Sequence, residues 1–131
     1  MNNSVFSRII RGEIPCTKVY EDDEFFAFLD INPVAKGHTL LIPKEPSRWI
    51  HETSDDVIAK IFVKAKELIS AMRESIPCDY VQIVIDGEEV PYFHIHLIPS
   101  MLGHKQGHWD HVTYEEGEKE NFAEGIQKNL K

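Results

Sequence analysis

The sequence predicts an α+β fold in which an antiparallel sheet is backed by helices, one of them long. Three observations carry that expectation. Apolar residues recur with a helical period from Ile58 to Met72, short β-rich segments lie on both sides of that stretch, and turn signals such as Asp22-Asp23, Lys36-Gly37 and Asp86-Gly87 punctuate the segments. Strand and helix runs of this kind build a sheet with helices packed against it. With 131 residues, 42% of them hydrophobic, the chain can form one core but is too short for two. A single domain is expected over residues 1–131, with a polar tail from about residue 100.

In chain order, Ser4 to Arg11 places Val5, Phe6, Ile9 and Ile10 on one side of a short amphipathic helix that Gly12 stops. Pro15 forces an extended entry. Lys18 to Glu21 and Glu24 to Asp30 read as antiparallel strands around the Asp22-Asp23 turn, and Asn32-Pro33 breaks the pattern. Lys36-Gly37 turns the chain into Thr39 to Pro43, an apolar buried strand with His38 at its mouth. Lys44 to Ser54 reads as a loop with one helical turn near Trp49.

Ser54 suits an N-cap, and Asp55 and Asp56 behind it suit the positive end of a helix dipole. Ile58, Ile61, Phe62, Ala65, Leu68, Ile69 and Met72 then form one helical face, which covers the sheet until Pro77 ends the element. Tyr80 to Ile85 alternates with Val81, Ile83 and Ile85 on one side, and the Asp86-Gly87 turn makes it an antiparallel neighbour of Phe93 to Ile98. A last helix is expected around Glu118 to Lys128.

Charge and cysteine content narrow the function. A net charge of −8 argues against long nucleic acid as a partner, because such affinity comes mainly from Lys and Arg on phosphates. A small anionic ligand in a local cavity remains compatible with that balance. Cys16 and Cys78 stand far apart and suggest neither a disulfide framework nor a CxxC site. No apolar run approaches ~20 residues and the N-terminus is polar, so a cytoplasmic protein with no membrane span is expected.

The chemistry concentrates in Val90 to Pro99, where a proline stands near each end of a short strand. Strand alternation gives Phe93, Ile95 and Leu97 to the core and puts Tyr92, His94, His96 and Ile98 on the opposite face. Two residues of rise set His94 and His96 roughly 7 Å apart, near enough for both to reach one small anionic group. Imidazole near neutral pH serves as nucleophile, acid or phosphate donor. The spacing alone equally suits a half-exposed surface pair, or part of a metal site with further ligands elsewhere.

Four blocks in order decide among these. Val5 to Pro15 (VFSRIIRGEIP), Phe26 to Pro33 (FAFLDINP), Gly37 to Lys44 (GHTLLIPK) and Phe93 to Pro99 (FHIHLIP) resemble the histidine triad (HIT) family of nucleotide-binding hydrolases. The resemblance implies a homodimer of α+β protomers that releases AMP or another nucleoside monophosphate from a leaving group on the α-phosphate. It implies a nucleotidyl-histidine intermediate and no cofactor. His94 matches the attacking middle histidine, His96 the third, and His38 the extra histidine beside the phosphate. Asp30 resembles the acid that binds the ribose hydroxyls, with Phe28 and Ile31 near the base. Phosphoramidates and nucleotidyl anhydrides fit as substrates. Dinucleoside polyphosphates are the alternative, as is a catalytically weak nucleotide-binding protein.

The chain departs from the family in two places. Tyr92 occupies the first triad position, and the other ligand places of the family's zinc-containing branch are held by Ser4, Ser7 and Pro46. No metal is therefore expected. The loop before the last strand is only Asp86-Gly87-Glu88-Glu89, and the resemblance sets Asp86 and Glu88 where relatives carry phosphate-touching Asn and Gln, with Tyr92 filling volume beside them. Carboxylates there repel phosphate. In the tail, Gly107-His108-Trp109 resembles a region that in relatives reaches the partner's site, and His104, His108 and His111, whose spacing alone suits a metal, read instead as a solvated polar loop beside Gly103 and Gly107.

Overall fold

The computed structural model describes residues 4–103 and 110–130. Five strands form one antiparallel sheet: β1 (Lys18–Glu21), β2 (Phe25–Leu29), β3 (Thr39–Pro43), β4 (Tyr80–Asp86) and β5 (His94–Ser100), in the order β1-β2-β3-β5-β4. The helices are α1 (Val5–Ile10), α2 (Asp55–Ser75) and α3 (Glu118–Asn129), with a short 3-10 turn at Ile50–Glu52.

Each strand's alternation sorts its residues between two cores. Phe25, Ala27, Leu29, Leu41, Phe93, Ile95 and Leu97 face α2 and α3, where they meet Ile61, Ala65, Leu68 and Met72 of α2 and Ala123 and Ile126 of α3. Burying each large aliphatic side chain there contributes about 1.5–3 kcal/mol. Ser54 caps α2, its Oγ accepting from Val57 N at 3.3 Å. The opposite face carries Phe26, Phe28, Leu40, Ile42 and Tyr92, covered by Phe6 and Ile9 of α1. With only six residues, α1 covers part of that face, and an opening is left between it and the sheet.

Several details differ from the sequence reading. The strand β5 runs through Pro99 to Ser100, with Pro99 opposite Val81. Its pairing with β3 stops at Leu97, so the missing Pro99 N–H lies along a free edge, where proline is tolerated. Asp86-Gly87 is no tight turn. Asp86 still pairs with His94, and residues 87–93 make a longer connection tied to the preceding loop by Arg48 Nε donating to Gly87 O at 3.0 Å and Phe93 N to Ser47 O at 2.7 Å.

The expected polar tail is in part structural, since α3 buries Ala123 and Ile126. Gly107-His108-Trp109 and His104 lie outside the described residues. Among the described residues, no helix is long and apolar enough to cross a membrane.

Candidate active site

The site is built on β5 where that strand crosses the sheet face left open by α1. His94 Nδ1 lies 2.6 Å from Tyr92 O, and a carbonyl only accepts, so Nδ1 carries a proton and Nε2 is left with its lone pair. A second backbone group settles the other end. Val34 N–H donates to His38 Nδ1 at 3.2 Å, which puts the proton of a neutral His38 on Nε2.

The two anchors determine every ring between them. His38 Nε2 donates to His96 Nδ1 at 2.9 Å, so His96 carries its proton on Nε2 and donates it to His94 Nε2 at 3.1 Å. Three neutral imidazoles thus form one directed relay that ends on the lone pair of His94. The rings come closer than strand rise alone suggests. Their side chains lean together, and the His94 and His96 centroids are 4.8 Å apart. Phe6 sets its ring edge-on to His94 at 4.9 Å and holds the imidazole from the α1 side.

Burial favours the neutral form of His38 and His96. It pushes His38 down to about 4, against the upward pull of Asp30, whose Oδ2 is 3.5 Å from His38 Nε2. His96 is lowered as well, first by burial and then by His94. The consequence for stability has a definite sign. Unfolded histidine takes its proton near pH 6.5 and folded His38 only near 4, so the folded protein loses stability as pH falls between those values. The expected loss from His38 is on the order of 3 kcal/mol. Urea unfolding at about pH 7 and about pH 4.5 should show a smaller pH effect in His38→Asn than in the native chain, and equal effects in the two would refute it.

Asp30 has two tasks. Its Oδ1 accepts from Asn32 N at 2.9 Å and caps the turn, while Oδ2 faces His38. Two groups of side chains have metal-ligand proximity, Asp30–His38–His96 and Asp86–His94–His96. In the relay, His38 Nε2 and His96 Nε2 are both engaged as hydrogen-bond donors.

The rings open on a cavity of about 370 Å³, within the size range of small-molecule sites. His38, His94, His96, Asp30, Phe28, Ile31 and Asp86 all line it, as the sequence suggests. Two expected residues do not. Glu88 is exposed and outside the lining, whereas its neighbour Glu89 is part of it. Tyr92 is fully buried below the cavity, with its hydroxyl donating to Pro43 O at 2.5 Å, burial raising it to about 12. Its carbonyl holds His94 Nδ1, and its ring packs against Phe6. The sequence reading also missed the α1 wall of Val5, Phe6 and Ile9, and the lining role of His111, which no local signal announces.

A twisted antiparallel sheet that presents a histidine relay to a cavity of this size defines a protein of the histidine-triad type. The chain belongs to the HIT family: the HIT domain matches residues 11–102. An adenosine 5'-monophosphoramidase of Schizosaccharomyces pombe is 38% identical over 100 residues, covering 73% of each chain. The crystal structure of a HIT-like protein from Bartonella henselae, described as involved in cell-cycle regulation and holding an unknown ligand, superposes with a TM-score of 0.86. Its identity is 30%, over 99% of this chain and 98% of that one. A zinc-bound histidine triad family protein from Mycobacterium smegmatis gives 0.83 at 30% identity, over 96% and 91% of the two chains.

Proposed function

We propose that the protein is a nucleotidyl hydrolase that releases AMP or another nucleoside monophosphate, acting on phosphoramidate or phosphoanhydride bonds through a nucleotidyl-histidine. The observation that carries this reading is the relay itself, which leaves one unprotonated nitrogen, His94 Nε2, facing the cavity. In the first step Nε2 forms a bond to the α-phosphorus while the bond to the leaving group breaks, and the leaving group takes up a proton from solvent, which the attacking water of the second step returns. Water then displaces His94, and the monophosphate departs. Two easier displacements replace one slow one. Binding of the phosphate frees the lone pair, because His96 Nε2–H turns from His94 to a phosphoryl oxygen and stabilises the developing charge.

Incubation with adenosine 5'-phosphoramidate, AMP-lysine analogues and diadenosine polyphosphates, followed by mass spectrometry for AMP, tests the assignment. AMP from the amides supports it. Turnover of polyphosphates alone moves the substrate class, and nucleotide binding without turnover of any substrate overturns the enzyme reading. The acidic rim of Asp86 and Glu89 favours that last outcome, since both carboxylates line the space a phosphate would enter.

The same reading includes no structural zinc. Tyr92 uses its hydroxyl on Pro43 O, and Ser4 Oγ accepts from Ser7 N at 3.2 Å as the cap of α1. Purified protein should hold less than stoichiometric zinc and keep its activity in chelator. One tightly held zinc per chain by elemental analysis would overturn this. The assembly proposed is a homodimer through β4 and α2, supported by the outer edge of β4 and by exposed Ile83 and Val63. Light scattering at micromolar concentration should give twice the chain mass, and a monomer mass refutes it. A reducing, cytoplasmic setting fits the free Cys16 and Cys78.

A further inference from the structure

The described part of the C-terminal segment returns to the cavity of its own chain. His111 Nδ1 donates to Asn32 O at 3.0 Å, and Val112 N donates to Pro33 O at 2.9 Å. Further along, the Tyr114 hydroxyl accepts from Gly37 N at 2.8 Å and Glu118 pairs with Lys36 at 2.8 Å. These contacts hold the segment against the loop that joins Asp30 to His38. The segment lies beyond residues 11–102, where the HIT domain matches.

His111 lines the cavity on the side of Asp30, Ile31 and Asn32. Its Nδ1 is committed to Asn32 O, which fixes the ring at the mouth. Beside it Ile31 is 82% exposed, an unusual position for a large aliphatic side chain that also lines a cavity. Asp86 and Glu89 belong to β4 and the loop after it, away from the turn that carries Asp30 and Ile31. An apolar side chain and a tethered imidazole at one mouth suit a flat heteroaromatic group, which stacks on aromatic rings and buries aliphatic surface.

We infer that His111 is a nucleotide-contacting residue supplied by the chain's own C-terminal segment, its ring closing with Ile31 on the nucleobase of the bound monophosphate. This rests on the reading of the cavity as a nucleotide site. The contact lies at the base end, so it acts on affinity more than on the chemical step. An Asn at this position can still donate to Asn32 O but has no ring to stack, which separates the tether from the contact.

The test is calorimetric titration of AMP and of ribose 5-phosphate, which lacks a base, into the native protein, His111→Ala and His111→Asn. Both variants should bind AMP about three- to tenfold more weakly, and ribose 5-phosphate as the native protein does. With adenosine 5'-phosphoramidate, KM should rise by a similar factor while kcat changes less than about twofold. Native affinity in His111→Asn reduces the residue to a tether and overturns the inference, and so does an equal loss for ribose 5-phosphate. Binding of AMP untouched by either substitution overturns this inference alone. Failure of the native protein to bind AMP overturns the nucleotide reading with it.

Discussion

His94→Ala is expected to abolish turnover, by on the order of a thousandfold or more, while AMP affinity stays within a few-fold of the native protein. A thousandfold corresponds to about 4 kcal/mol of transition-state stabilisation. The loss is large because the substitution removes His94 Nε2, the terminal acceptor of the relay and the proposed nucleophile. Binding survives because Asp30, Phe28, Ile31 and the apolar wall of α1 remain. His96→Ala should cost less, about a hundredfold, since it removes one donor and leaves the proposed nucleophile in place. Single-turnover kinetics and AMP titration on the two variants check this, and native turnover in His94→Ala would sink the nucleophile assignment.

Phe93→Ala should do the reverse. Phe93 is fully buried among the side chains between the sheet and α2, on the face of β5 opposite His94. Removing a buried phenyl ring costs about 3–5 kcal/mol, from the lost transfer free energy and the cavity left behind. In a chain of this size that lowers Tm by roughly 10–20 °C. The relay stands on the other face, so the folded fraction at low temperature should keep most of its turnover. Thermal unfolding and activity assays at about 10 °C separate the two effects. A Tm within about 3 °C of the native value would show that Phe93 does not anchor the core. Adjacent residues at the start of β5 thus give opposite phenotypes, one losing chemistry and the other stability.

The opposition between Phe93 and His94 is a property of strand geometry, and strand geometry is local. A period of two assigns Phe93, Ile95 and Leu97 to one face and Tyr92, His94 and His96 to the other from the order of the residues alone. The same holds for α2. Its cap at Ser54 and its apolar stripe follow from propensity and a period of 3.6, and Ile61, Leu68 and Met72 of that stripe are fully buried. Strand β3 coincides with the expected Thr39 to Pro43, because turn residues and apolar run agree on its bounds.

Contacts between residues distant in the chain lie beyond such local reading. Strand spacing sets His94 and His96 roughly 7 Å apart along the backbone, whereas the rings meet at 3.1 Å in a relay where His38, from a different strand's mouth, receives Val34 N–H and donates to His96. Which carboxylate reaches the cavity depends on how residues 87–93 are tied down. Arg48 on Gly87 O and Ser47 on Phe93 N shape that loop, and Glu89 faces inward where alignment to relatives points to Glu88. His111 comes to the mouth by a bond to Asn32 across 79 positions of sequence. Residue order and composition determined the sheet, the long helix and the identity of the three histidines, because those follow from local periodicity and from motifs read in order. The His96 tautomer, the facing carboxylate and the C-terminal side of the site were decided by tertiary structure, since each depends on a hydrogen bond whose partner only the folded chain brings within reach.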